Sequence, residues 1–457
     1  MSEPTRPKTR FQFTPPQVLV LGFAALILFG SFLLWLPISA EPGKVVSYVD
    51  ALFTATTSVC VTGLVTVDVA TTFNTFGELT VLGLIQAGGL GIMTLSAVML
   101  LLMGKRVSLR ERLLMQEALG SFSIAGVVRL TRNIIFTTLA IEGISALALS
   151  LYWLRQYPWQ KAFYWGFFHA ISAFNNAGID VTSESLRPFQ RDPWVLFIIG
   201  MLIILGGIGF PVLEDVWRNR RWEKLTLHSR LSIRMTVILI GIGTLLYLAA
   251  EWHNTRTFAH LPWYHKISNA WFAAVTPRTA GFESVFSGKL LDFSILLTII
   301  LMFIGASPGG TGGGIKTTSF AMIMMSIRAT STGRDEVTLM GRKIPRDLIE
   351  KAFAITSIAM LLCVTVTAAL MLTERPLLES PENPFYGMNI LFEVVSAFGT
   401  VGLTTGVTPF LSVAGKILIT LTMYIGRVGP LTMAVALAQR NLNRSPLHYP
   451  EDRVMIG

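Results

Sequence analysis

The segment SAFGTVGLTTG (residues 396–406) follows a short, half-apolar stretch and places Gly402 among small and threonine neighbours. Three earlier segments end in a related tetrapeptide, at similar intervals along the chain. We name these tetrapeptides loops 1 to 4 in chain order: Val61-Thr62-Gly63-Leu64, Asn176-Ala177-Gly178-Ile179, Thr279-Ala280-Gly281-Phe282 and Thr400-Val401-Gly402-Leu403. A unit that returns four times at such intervals indicates an internal repeat.

Long apolar stretches dominate the sequence around these loops. Of the 457 residues, 52% are hydrophobic and 14% are charged, whereas soluble domains average about 25% charged residues. A helix needs about 20 apolar residues to cross a bilayer, and the first stretch is too long for a typical signal peptide. We therefore predict eight membrane helices, at 18–37, 77–103, 127–154, 194–217, 231–250, 290–327, 347–373 and 411–438.

Each loop follows a shorter aromatic-containing segment, which lies between two of the long stretches. These segments, at 47–59, 161–175, 263–276 and 384–398, are too short to span and read as re-entrant. The sequence thus predicts an all-α polytopic membrane protein with eight transmembrane helices, arranged as pseudo-symmetric helix–pore loop–helix repeats around one central pore. The predicted repeats are 1–104, 105–222, 223–340 and 341–457.

The positive charges predict the orientation of the chain. The formal net charge is +10, and most Lys and Arg lie at the N-terminus and in 105–132, 218–234, 328–351 and 440–453. The positive-inside rule then places both termini in the cytoplasm, and the short segments enter from outside. This distribution argues against nucleic acid as the partner of the positive charge.

Four irregular loops at membrane depth predict a cation pathway. Non-helical backbone is tolerated there only where protein surrounds it or where it lines water. Backbone carbonyls can replace the hydration shell of a cation, and glycine adopts the φ values that aligned carbonyls require. We therefore predict a selectivity filter that binds a monovalent cation at the carbonyls of Val61, Thr62, Gly63, Asn176, Ala177, Gly178, Thr279, Ala280, Gly281, Thr400, Val401 and Gly402.

Other small or acidic residues near the loops have two interpretations. The glycines of 88–91 and 206–209 fit close helix crossings, whereas the loop glycines have neighbours too polar for lipid. Asp68, Asp180 and Glu283 follow loops 1 to 3, where they either concentrate cations at a pore mouth or are ordinary solvated loop charges.

The stretch 290–327 contains a break that no helix survives, because residues 305–318 hold many glycines and Pro308. We expect two half-helices joined by an intramembrane loop. A phosphate-binding loop is disfavoured, because Ile315 stands where that motif needs glycine before lysine. Lys316 either holds the loop through hydrogen bonds or extends to the cytoplasmic face.

Two charged residues fall inside predicted membrane helices. Arg427 is a functional candidate, because a charged side chain at membrane depth is energetically costly and usually marks a functional site. A structural ion pair is the alternative. Glu142 either pairs with a basic group or faces a second subunit.

The sequence has no HExxH, no GxSxG and no catalytic carboxylate pair, which argues against a membrane enzyme. Alternating-access transporters often have inverted repeats, whereas these repeats run parallel.

The four loops with their flanks resemble the filter loops of the Ktr/Trk/HKT superfamily of potassium transporters, closest to the Ktr-type membrane subunits. The quoted matches are 58–64, 174–178, 276–282 and 396–406. The resemblance implies potassium uptake without a covalent cofactor, with Arg427 as a barrier in the pore. It also implies a gate within 305–318, formed by Gly309, Gly310, Thr311, Gly312, Gly313, Gly314 and Lys316.

The same resemblance implies partners and a location. Members are homodimers in the bacterial plasma membrane and carry a cytoplasmic ring of nucleotide-binding RCK regulatory subunits. We expect such a partner to dock on the basic segments 105–126, 218–230 and 328–346, unless these only set topology or contact membrane lipid. Sodium, as co-ion or regulator, stays open.

Overall fold

The computed structural model describes residues 15–91, 127–334, 336–379, 385–430, 432–433 and 436. These residues are predominantly helical. The helices used below are α1 (Pro15–Trp35), α2 (Tyr48–Val59), α3 (Thr75–Leu90), α4 (Val127–Trp153), α5 (Trp159–Phe174), α6 (Pro193–Gly207), α7 (Phe210–Asn219), α8 (Leu227–Glu251), α9 (Trp263–Val275), α10 (Asp292–Phe303), α11 (Thr317–Ser331), α12 (Arg346–Thr373), α13 (Gly387–Gly399) and α14 (Val413–Val428).

The long helices α1, α4, α8 and α12 have the length and hydropathy to cross a membrane. Each begins close to where the apolar pattern predicts it. Their outward surfaces carry large apolar side chains that stay exposed, such as Phe136 at 77% and Leu372 at 79%. Apolar exposure on this scale marks a surface that contacts lipid or protein.

Within the described residues, four helices meet the criteria for a span, or five if the bent pair α6 and α7 counts as one. The predicted number of eight spans therefore stays a prediction. So do the repeat boundaries, and the first of them, at 104/105, lies outside the described residues.

The four short segments are helices, as the sequence predicts, and each ends shortly before its loop. These are α2, α5, α9 and α13, whose C-caps are Cys60, Asn175, Thr276 and Thr400. The C-terminus of a helix carries partial negative charge. All four helices therefore direct that charge toward the loops.

The apolar helices that follow the loops end early, which corrects the sequence prediction. Only the third was expected to break, yet α3, α6 and α14 also stop, and Gly91, Gly209 and Gly429 follow with φ of 82°, 102° and 93°. At Gly209 the chain turns by 96° into α7. A φ in this region is readily adopted by glycine and ends an α-helix. For 88–91 and 206–209 the sequence predicts only close helix crossings, and the break at Gly429 is not predicted.

Close packing also occurs at these helix ends, as predicted for 88–91 and 206–209. A Cβ on Gly88 or Gly206 would overlap the carbonyl oxygen of Val59 or Phe174, at the ends of α2 and α5. Gly426 has the same relation to Phe398 near the end of α13. A missing side chain thus lets each of these helices touch the end of a short helix.

Two small features complete the description of the fold, and the first departs from the all-α prediction. Thr338–Leu339 (β1) and Arg342–Lys343 (β2) form an antiparallel hairpin in which Thr338 faces Lys343. This hairpin lies within the basic segment 328–346. Both cysteines, Cys60 and Cys363, are buried and form no disulfide.

Candidate ion pathway

The four loops meet in a closed ring. A Cβ placed on each loop glycine would meet the carbonyl oxygen that precedes the glycine of the next loop. The contacts are Gly63 with Ala177 (2.6 Å), Gly178 with Ala280, Gly281 with Val401 (2.5 Å) and Gly402 with Thr62. They run in order from loop 1 to loop 4 and back to loop 1. Any side chain at these positions would collide with backbone, so the ring requires glycine.

Left-handed backbone alternates along every loop. The glycine and the residue two positions before it have positive φ, while the residue between them does not. The values are Val61 56°, Gly63 100°, Asn176 60°, Gly178 65°, Thr279 69°, Gly281 75°, Thr400 50° and Gly402 93°. Positive φ is uncommon for residues other than glycine, and such strain clusters at functional sites. Reversing handedness at each residue turns successive carbonyls toward the same side.

Backbone hydrogen bonds tie each loop to its own short helix. The N–H groups of Thr62, Ala177 and Val401 donate to carbonyl oxygens within α2, α5 and α13, each at 2.8 Å. In loop 3 the N–H of Ala280 donates to the carbonyl oxygen of Thr276 at 3.0 Å. The short helices therefore fix the position of each loop.

A hydroxyl also supports two of the loop glycines. The N–H of Gly63 donates to Thr57 Oγ1 at 2.9 Å, and the N–H of Gly402 donates to Ser396 Oγ at 3.0 Å. Thr57 and Ser396 each lie six residues before the loop glycine that they support. Ser58, the residue after Thr57, instead donates from its Oγ to the Thr54 carbonyl at 2.6 Å.

On one face of the ring lies a cavity of about 330 Å³, bounded by Gly63, Gly178, Asp68 and Asp180 among others. The two carboxylates also cap local backbone, Asp68 accepting from the N–H of Ala70 at 3.1 Å and Asp180 from that of Thr182 at 2.9 Å. Both carboxylates thus line this cavity, which we call the mouth cavity; a role in concentrating cations there stays a prediction.

Glu283 differs from the other two acidic residues, because its side chain is buried and 7% exposed. Its Oε1 accepts from Ser287 Oγ at 2.7 Å. Burial raises the pKa of this carboxyl to about 7, despite the hydrogen bonds from Ser287. Glu283 is therefore a structural group, neither a solvated charge nor a residue that lines the mouth cavity.

The glycine-rich segment 305–316 covers the opposite face of the ring. It joins α10 to α11, so the predicted break into two half-helices is confirmed. A Cβ on Gly312 or Gly313 would overlap the Thr279 or Thr400 hydroxyl, at the start of loops 3 and 4. The N–H of Gly313 donates to Thr400 Oγ1 at 3.1 Å. The segment is therefore in direct contact with the ring.

Several hydrogen bonds hold this segment in place. Ser307 N–H donates to the Gly207 carbonyl at 2.9 Å and Thr311 N–H to that of Gly206 at 3.1 Å. These carbonyls are free for the segment because α6 ends there. Lys316 Nζ donates to the Gly312 carbonyl at 2.6 Å. The structure thus shows the first of the two alternatives for Lys316, in which its side chain donates hydrogen bonds to the loop.

Arg427 joins the segment to two other helices. Its guanidinium donates to the carbonyl oxygens of Thr311 in the segment and Gly88 in α3, and it lies 5.9 Å from the ring centroid of Phe23 in α1. In the described residues it forms no ion pair with a carboxylate. The sequence left open whether Arg427 forms a structural ion pair. In the structure its partners are backbone carbonyl oxygens instead.

Glu142 makes a polar contact with Asn175, directly before loop 2, that the sequence did not resolve. The residue is 4% exposed, and its carboxylate accepts from Asn175 Nδ2 at 2.8 Å and from Gln86 Nε2 at 3.2 Å. The next residue, Asn176, donates through Nδ2 to Thr279 Oγ1 in loop 3 at 3.2 Å. Amide groups rather than a basic residue therefore surround Glu142 within the described part of the chain.

Fold and site together define a class: a multi-pass membrane protein built for cation transport. A family model described as TrkH, cation transport protein, matches residues 8–445. The chain belongs to this TrkH/Ktr family, and its members transport cations rather than catalyse reactions.

Known proteins resemble the chain over nearly its whole length. It is 42% identical over 446 residues to the Ktr system potassium uptake protein B of Bacillus subtilis, covering 98% of this chain and 97% of that protein. It is 36% identical to the potassium/sodium uptake protein NtpJ of Enterococcus hirae, covering 98% and 99%. The crystal structure of the potassium transporter TrkH from Vibrio parahaemolyticus shares the fold, with a TM-score of 0.73, 18% identity and coverage of 95% and 87%.

Proposed function

We propose that the chain is the ion-conducting subunit of a potassium uptake system, with loops 1 to 4 as its selectivity filter. The closed ring of loop glycines carries this proposal, because it brings four strained backbone segments to one point. The relatives named as potassium uptake proteins support potassium as the ion.

The chemistry of the ring suits a desolvated monovalent cation. Carbonyl oxygens from alternating backbone replace water around the ion, while the C-termini of α2, α5, α9 and α13 add partial negative charge. Asp68 and Asp180 at the adjoining cavity raise the local cation concentration. Potassium then moves inward, down its electrochemical gradient.

The segment 305–318 is the gate in this proposal. It lies against loops 3 and 4 on the face opposite the mouth cavity, so an ion leaving the ring meets it directly. Its hydrogen bonds to Lys316 and Arg427 hold this blocking position. Opening requires these contacts to break, and the guanidinium adds a positive barrier to cations.

The chain crosses the membrane eight times in four parallel repeats, with both termini in the cytoplasm. The order of long helix, short helix, loop and apolar helix, found four times in the described residues, supports this arrangement. The excess of Lys and Arg in the intervening segments supports the orientation.

Regulation comes from outside the chain. We expect a homodimer and a cytoplasmic RCK-type ring docked on basic segments, of which 218–230 and 328–346 are largely described and 105–126 is not. The relative named a potassium/sodium uptake protein supports sodium as a second ion.

The test is cation flux into liposomes that contain the purified chain alone. Potassium and rubidium entry well above sodium entry is the expected result. Equal entry of all three ions would overturn potassium selectivity, and no entry above empty liposomes would overturn conduction by the chain alone.

A further inference from the structure

Glu393 is a buried carboxylate in α13 that points at the chain beyond loop 4. The residue is 1% exposed. Its Oε1 accepts from Thr404 Oγ1 at 2.7 Å, Thr405 N at 2.8 Å and Thr405 Oγ1 at 3.2 Å. Its Oε2 accepts from Thr408 Oγ1. Thus one side chain collects the polar groups of three threonines.

Hydrogen bonds alone compensate this carboxylate. Among the described residues, no Lys or Arg forms an ion pair with it. Burying a carboxylate is costly unless strong donors surround it, and bonds to an ionised acceptor are about twice as strong as neutral ones. The contact therefore fixes residues 404–408 firmly against α13.

This arrangement closes a loop around Gly402. The chain leaves α13 at Thr400, passes through the ring at Gly402 and returns to the same helix through Glu393. Both ends of loop 4 are thereby attached to one rigid element. A shift of the threonines would move the carbonyl oxygens of loop 4 that face the ring.

The segment after loop 1 has a weaker version of this contact. Thr66 Oγ1 donates to Asp50 Oδ1 at 2.8 Å, but the same oxygen also accepts from Lys416 Nζ at 2.7 Å. The Asp50 side chain is 16% exposed, so water and a cation share its charge. Of these two loops, loop 4 is therefore held more tightly than loop 1.

We propose that Glu393 is a positioning residue that sets the potassium-over-sodium selectivity of the pore by holding loop 4. The inference rests on the proposed function of the loops as the filter. Loosening the contact allows the loop 4 carbonyls to close around the smaller sodium ion, so discrimination falls while conduction persists.

The experiment compares potassium and sodium flux in liposomes for Glu393→Ala, Thr408→Val, Thr408→Ser and the double variant Glu393→Ala/Thr408→Val. Thr422→Val is the matched control, because Thr422 is equally buried, at 1% exposure, but its hydroxyl donates only to the Leu418 carbonyl of its own helix. Thermal melting of each purified variant reports whether it folds.

Because a hydrogen bond to a charged group changes an equilibrium by about tenfold or more, Glu393→Ala should lower the potassium-to-sodium flux ratio by about tenfold. Thr408→Val should lower it by a smaller factor, and Thr408→Ser should restore it. The double variant should match Glu393→Ala, because coupled residues are not additive. Thr422→Val should leave the ratio unchanged.

A flux ratio that stays at the wild-type value in folded Thr408→Val and Glu393→Ala would overturn the positioning role. If Glu393→Ala does not fold, the contrast between Thr408→Val and Thr408→Ser decides alone. Wild-type protein that fails to discriminate the two ions would instead overturn the proposed filter, so the two failures are distinguishable.

Discussion

Replacing Lys316 with methionine tests the gate directly, because it removes the contacts of one ammonium group and keeps most of the length of the side chain. Lys316 Nζ donates to the Gly312 carbonyl at 2.6 Å and lies 3.5 Å from that of Gly313. Both glycines lie against the ring, so this ammonium group secures the part of the segment that blocks the pathway.

The magnitude follows from the one short bond. A hydrogen bond that involves a charged group contributes about 1.5–3 kcal/mol, and each 1.4 kcal/mol changes an equilibrium about tenfold. Lys316→Met should therefore shift the equilibrium between the blocking and open segment by about tenfold to a hundredfold toward the open state. If the blocking state dominates in the isolated chain, potassium flux rises by a similar factor.

The assay is initial potassium entry into liposomes at equal protein density. Lys351→Met is the control, because Lys351 is exposed and pairs only weakly with Asp347 at 3.9 Å. Flux of folded Lys316→Met at or below the wild-type level would refute the idea that this lysine holds a closed gate.

Three other substitutions give separate tests. Glu142→Ala removes the acceptor of Gln86 Nε2 and one of three acceptors of Asn175 Nδ2, which also donates to Gln86 Oε1 and the Ile171 carbonyl. Loss of such a partner costs about 1–3 kcal/mol, so the change should lower thermal stability and potassium selectivity while Glu142→Gln keeps most of both; equal behaviour of the two would contradict this. Gly206→Val forces a side chain into the Phe174 carbonyl and should reduce the yield of folded protein by costing about 1–3 kcal/mol or more, whereas Gly143→Val meets open space. Arg427→Met removes both carbonyl contacts and the positive barrier, so basal potassium flux should rise; unchanged flux would argue against a barrier at this residue.

The sequence predicts the helices and loops well, because both depend on local patterns. Apolar stretches gave α1, α4, α8 and α12, and the glycine-rich break at 305–318 gave two half-helices. The repeated tetrapeptide pointed to the loops that form the ring. These signals lie within short windows of the chain, where hydropathy and glycine content suffice.

The side-chain contacts between different segments of the chain were beyond the sequence. Nothing in the local pattern shows that Glu142 reaches Asn175, that Glu393 collects threonines beyond loop 4, or that Arg427 bonds to carbonyls. Such partners are set by which helices meet in three dimensions. The glycines that end α3, α6 and α14 were visible in the sequence, but glycine also permits close helix packing. Both roles occur at these helix ends, where one glycine has positive φ and a nearby glycine packs against a short helix.

Replacing Gly402 with serine tests the central claim most directly. Its φ is 93°, and a Cβ would overlap the Thr62 carbonyl of loop 1. Gly43→Ser is the matched control, because Gly43 has a φ of 85° but open space around it. In liposomes, Gly402→Ser should lower the ratio of potassium and rubidium flux to sodium flux, and Gly43→Ser should leave it unchanged. Folded Gly402→Ser with wild-type discrimination would show that the loops are not the filter.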